Sequence, residues 1–202
     1  MLHPDDARLL RAKGWALYRE AIILNRAHDK TGAEQRFDEA DRVLERSQAL
    51  QPSGEALALR GVVLDDLIGL RGMMAGMTLG PKAVKLIQDA TSLEPDNPRV
   101  LMLRGVYTFL TPEAFGGGAE KALGWLQKAA EAFDREEAMP ASADAWRGGR
   151  AETFVWIGRA RQKLKDTAAA RMAFERALAL EPDYVWAKQL LTGLSAANSN
   201  SK

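Results

Sequence analysis

Residues 151–182 read A-E-T-F-V-W-I-G-R-A-R-Q-K-L-K-D-T-A-A-A-R-M-A-F-E-R-A-L-A-L-E-P, and this stretch decides the fold. Apolar or small residues recur at helical spacing twice: Phe154, Ile157, Gly158 and Leu164, then Ala170, Phe174, Ala177 and Leu178. Lys165-Asp166-Thr167 separates the runs, and Asp166 or Thr167 offers a side-chain oxygen to cap the second helix. Pro182 ends that helix, because it has no amide hydrogen and restricts Glu181 before it. The prediction is an antiparallel helix pair, with small residues where the two backbones cross.

The motif recurs upstream. P-D-D-A-R-L-L-R-A-K-G from Pro4 to Gly14 is echoed by P-D-N-P-R-V-L-M-L-R-G from Pro95 to Gly105, with the same proline-to-glycine separation. Q-P-S-G-E-A-L-A-L-R-G, ending at Gly61, is a third copy one residue shorter. Gly14, Gly61, Gly105 and Gly158 thus stand in register, where a larger side chain would hold helices apart. The second helices carry Ala40, Leu44 and Ser47; Ala83, Ile87 and Ala90; and Ala122, Leu126 and Ala129. These are expected over 35–50, 81–93 and 120–133. Residues 134–150, with Pro140, Ser142, Gly148 and Gly149, read as a loop with one helical turn near Trp146.

The pattern of 151–182 resembles one tetratricopeptide repeat, written aromatic, x, x, Leu-Gly, x, x, Tyr, then Ala, x, x, x, Phe, then Pro. Phe154 stands for the first aromatic and Ile157-Gly158 for Leu-Gly, while Ala170, Phe174, Ala177 and Pro182 fill the rest. Arg161 departs at the Tyr position. The resemblance implies an all-α, right-handed superhelical array of about four hairpins, with a C-terminal capping helix over 184–194 carrying Trp186, Leu190 and Leu191. One domain is expected over 1–194, with 195–202 a disordered polar tail. Gly14 to Pro52 and Gly61 to Pro95 are longer than Gly158 to Pro182, so the first two hairpins are expected to have longer helices. That stretching resembles a group of bacterial tetratricopeptide proteins, some of them exported, and the turn T-P-E-A-F-G-G-G from Thr111 is similar to one of theirs.

Composition excludes more than it identifies. The chain has 202 residues, 47% apolar and 27% charged, with a net charge of +1, so nothing pulls it in bulk toward nucleic acid or acidic membrane. It has no cysteine, which removes disulfides and thiolate chemistry together. No basic-then-apolar leader is present as written, so the chain reads as cytoplasmic, or periplasmic if a leader was trimmed. The weakly charged run 68–84 is too glycine-rich for a membrane span. His3 and His28 stand in no metal spacing. Gly116-Gly117-Gly118 lacks the lysine and hydroxyl of a phosphate cradle, and no nucleophile turn occurs. The expectation is a non-enzyme without metal or cofactor.

In the resembled family first helices line a concave groove, and by register this strip is Arg8, Arg11, Trp15, Tyr18 and Arg19 in the first repeat. Glu55, Asp65 and Asp66 follow from the second; Arg99, Met102 and Phe109 from the third; Glu152, Arg159 and Lys163 from the last. Arginine among aromatics suits a carboxylate-bearing or extended peptide. The strip lacks the asparagines that relatives use to clamp a chaperone tail. The resulting expectation is a scaffold binding a protein or peptide there. The alternative is an accessory protein, tied to a bacterial transport system, that holds a solute or lipid in a cavity walled by Met73 and Met77. Lys13, Arg60 and Arg104 each precede a repeat glycine and are expected to extend their stems over the core to reach its edge. The stretch from Gly69 to Gly80, with Met73, Met74 and Met77, reads as an insert folded on its own hairpin or as a self-association surface.

Overall fold

The computed structural model describes residues 6–140 and 148–199, with side chains through 194. Every regular element among them is helical. Helices α1 (Ala7–Arg26) and α2 (Lys30–Leu50), α3 (Gly54–Arg71) and α4 (Met73–Leu93), α5 (Pro98–Leu110) and α6 (Ala119–Glu137), and α7 (Arg150–Lys163) and α8 (Thr167–Leu180) form four hairpins. Helix α9 (Val185–Ser199) covers α8. The array is the all-helical one the repeats imply.

The sequence explains where the helices start. Asp6, Asp29, Ser53, Asn97 and Asp166 each accept a hydrogen bond from a first-turn amide, and Pro98 occupies the first turn of α5, where no donor is needed. Of the two cap candidates in the last hairpin, Asp166 is the one used. The first two hairpins have helices of 20, 21, 18 and 21 residues, against 14 and 14 in the last, so the extra length is helix rather than loop.

Each repeat glycine sits against one residue of its partner helix. A Cβ on Gly14 would lie 2.5 Å from Leu44 Cδ2, on Gly61 2.7 Å from Ile87 Cγ1, and on Gly105 2.6 Å from Leu126 Cγ. On Gly158 it would enter the ring of Phe174, which is fully buried. Around that crossing Ala170 and Ala177 are buried, Phe154 and Ile157 are half-buried, and Pro182 is exposed beyond the helix end. Gly158→Leu should therefore overpack the last hairpin and cost about 1–3 kcal/mol. A melting temperature equal to the parent's would remove the helix-crossing role.

Several boundaries differ from expectation. Helix α4 begins at Met73, not Pro81, so the glycine-rich stretch is no insert. Gly72, at φ +83°, turns the chain in a single residue, and Pro81 stands inside α4, where exposure on its first turns tolerates the lost amide. Met73 is 87% exposed and Met77 70%. Neither walls a cavity as the solute-holding alternative expected of them. The hairpin-3 turn is a single 3-10 turn, Glu113–Phe115, followed by Gly116 and Gly118 at positive φ. Gly117 lies so close to the Thr111 carbonyl that no side chain fits. Helix α6 runs on past Phe133 to Glu137, and α9 continues past Leu194 to Ser199, into the segment expected to be a disordered tail. His3, Pro4, Ser142 and Trp146 lie outside the described residues.

Candidate functional site

The expected concave strip divides in two. Toward the N-terminal ends of α1, α3 and α5 its residues are committed to one another. Trp15 is 4% exposed and its indole N–H donates to Glu55 Oε1 at 2.7 Å. Arg11 reaches Ser53 Oγ at 3.4 Å and Glu55 Oε2 at 3.9 Å. Arg99 is buried, donates to both carboxylate oxygens of Glu136 at 2.8 and 3.0 Å, and lies over Phe133. Met102 is fully buried. Arg8 is exposed at the start of α1 beside Asp6. Trp15, Arg99 and Met102 are therefore interior groups rather than an open groove wall.

The other half of the strip gathers at the opposite ends of the first helices. Here the array curls until α1 meets α7 and α9. Arg19 pairs with Glu152 at 3.2 Å, and the Arg26 guanidinium lies 3.7 Å above the ring of Trp186. Between these contacts Phe109, Trp156 and Trp186 stack edge to face, with centroids 5.6 and 5.4 Å apart. Tyr18, also expected on the strip, is buried in the core against Trp15 and Phe37. Arg159 spans the aromatic floor, 4.9 Å from Phe109, 4.5 Å from Trp156 and 5.5 Å from Trp186. Lys163 stands 5.6 Å from Phe109 at the rim. The structure thus brings Arg19, Phe109, Arg159 and Lys163 to one place.

The electrostatics there are unusual. Burial, reinforced by nearby Arg26, pulls the Arg159 guanidinium down to about 10. No carboxylate lies in ion-pair reach of Arg159 or Arg26 among the described residues. Asp66 stands nearby with Oδ2 enclosed and without a hydrogen-bond partner, and burial pushes its carboxyl up to about 7, with Asp65 adding to the rise. Asp65 itself is raised by burial to about 6. The indole N–H of Trp156 is likewise buried without an acceptor. Two cations, a polar donor and a raised carboxyl therefore share an aromatic floor. Sequence reading placed Arg159, Phe109 and Lys163 here but missed Arg26, Trp156 and Trp186.

Among the described residues no group of three His, Asp or Glu side chains could hold a metal, and no helix is long and apolar enough to cross a membrane. Lys13, Arg60 and Arg104 do extend to their edges: Lys13 to Glu39, Arg60 to Asp41 and Glu45, and Arg104 over Trp125.

These features define a protein of stacked helical hairpins. Residues 151–184 match the family model of the tetratricopeptide repeat. No curated protein matches it. A crystal structure of the APC/C hetero-tetramer Cut9–Hcn1 is similar at a TM-score of 0.47 and 18% identity, over 94% of this chain and 41% of that one. The present chain thus spans less than half the length of that structure's chain.

Proposed function

We propose that this protein is a non-catalytic scaffold that holds a carboxylate-bearing peptide against the floor formed by Phe109, Trp156 and Trp186. A protein-interaction role is what the tetratricopeptide fold suggests. The observation that carries the finer reading is Arg159, a desolvated guanidinium laid over three aromatic rings without a carboxylate partner. Arginine in that setting is pre-organised to fork onto a carboxylate, and aromatic and arginine groups are where interface energy concentrates. Arg26 and Lys163 add charge at the rim, and Arg19 is held in place by Glu152.

Selection of a random peptide-display library against the full chain should yield ligands enriched in Asp and Glu. Arg159→Gln should weaken the selected peptides at least tenfold, and Lys163→Gln by less, with melting temperatures near the parent's. Ligands free of carboxylates, or equal affinity in the Arg159→Gln variant, would discard this site.

A further inference from the structure

The four hairpins are built on one register, and that register exposes a missing pair of charges. The partner-helix residue that meets the repeat glycine is Leu44 in α2 and Ile87 in α4. Aligned on these, Asp41 corresponds to Val84 and Glu45 to Gln88. The arginine preceding the next repeat glycine is Arg60 at the first junction and Arg104 at the second. At the first junction Arg60 is buried and donates to Asp41 Oδ1 and Glu45 Oε1, both at 2.7 Å. Lys82 adds its ammonium 3.8 Å from Asp41.

At the second junction the cations remain and the carboxylates are gone. Arg104 keeps its place, and Lys121 occupies in α6 the position Lys82 holds in α4, counted from Leu126 and Ile87. Val84 and Gln88 stand where the acids would be. In place of a closed ion-pair network there is a cavity of about 500 Å³, whose lining includes Arg104, Lys121, Lys128, Val84, Gln88 and Trp125. Its lining contains no acidic side chain. The Arg104 guanidinium is stacked 3.7 Å above Trp125, which fixes its plane, and burial lowers its affinity for its proton. Lys128 approaches the same ring at 4.7 Å. Lys121 only donates to the Gly116 carbonyl, at 3.2 Å.

We propose that this cavity binds an acidic peptide segment of a partner protein, whose carboxylates take up toward Arg104 and Lys121 the role that Asp41 and Glu45 play toward Arg60. The volume accommodates a few side chains rather than a helix. A peptide is favoured over a small free acid by the rim. Phe115 is 81% exposed at the mouth and Val84 is exposed beside it, giving flanking residues of a chain an apolar purchase. The site is separate from the Arg159 floor and does not depend on it.

The test uses the uniformly 15N-labelled full chain, hexaglutamate as probe, and the indole N–H resonance of Trp125, assigned with Trp125→Phe. Hexaglutamate should shift this resonance saturably, more weakly as salt is raised. Arg104→Gln should weaken the binding read at Trp125 at least tenfold. The double variant Val84→Asp, Gln88→Glu rebuilds the acids of the first junction. It should lose hexaglutamate binding at least tenfold and melt no lower than the parent, an outcome that misfolding would not produce. The proposal is overturned by an unmoved Trp125 resonance at millimolar peptide, by full affinity in either the Arg104 or the double variant, or by tighter binding of free glutarate than of hexaglutamate.

Discussion

Trp15→Ala should destabilise the protein by about 3–5 kcal/mol, the usual cost of emptying a buried aromatic site. In a chain of this size that corresponds to a fall in melting temperature of roughly 6 to 20 °C. Two losses combine. The indole leaves a cavity where it packs edge to face on Tyr18, whose ring in turn meets Phe37, so the damage reaches the first hairpin's core. The second loss is polar: Glu55 is buried, its carboxyl already raised by that burial, and the Trp15 indole donates to it. Trp15→Phe separates the two, keeping most of the packing and removing the donor, and should cost about 1–3 kcal/mol. Calorimetry on both variants checks the ledger. An alanine variant that melts with the parent would return Trp15 to the groove wall that helical register alone suggested.

That reassignment shows what a sequence can and cannot carry. The repeat was legible because its signals are local: Gly158 and Phe174 in one hairpin, Gly14 and Leu44 in another, each pairing set by the 3.6-residue period and a short turn. The extra length of the first two hairpins was legible for the same reason. Helix α4 was misread because Gly76, Gly80 and Pro81 each weaken a helix, and intrinsic preference yields in 73–80 to packing, with Leu79 against the core and Gly76 close to Ile68 of α3.

The site was less legible because it depends on how far the array curls. Arg19 and Glu152 are 133 residues apart, and Arg26 meets Trp186 at a similar remove. Nothing in the periodicity of α1 tells which neighbour will cover its inner face. Once α1 faces α7 and α9, the strip divides into a core half around Trp15 and Arg99 and a half-open floor around Arg159. The missing acids opposite Arg104 are a different case. They can be read from the chain, but only after the structure shows that Leu44 and Ile87 are equivalent.

Asp66→Asn should raise stability by about 2–4 kcal/mol at pH 8 and change it little below pH 4. The carboxyl titrates at about 7 in the folded protein against an ordinary 3.8, so the native state holds a proton that the unfolded chain releases earlier. A group with a raised folded pKa contributes its full stability below the unfolded value and loses it as pH climbs through the folded one. For Asp66 the loss runs from about pH 4 to pH 7. The shift of some three units would be worth about 4 kcal/mol for a fully enclosed group, and the residual exposure of Asp66 sets the lower bound. Asp65, Tyr18, Arg26 and Arg159 all bear on it, the two arginines opposing the rise and the neighbouring carboxylate promoting it. Asparagine keeps the shape and discards the charge. Chemical denaturation from pH 4 to 8 should therefore show the parent weakening with pH, while the variant, still carrying the raised carboxyl of Asp65, weakens less. Parallel curves would mean that Asp66 is ionised and solvated in the folded state.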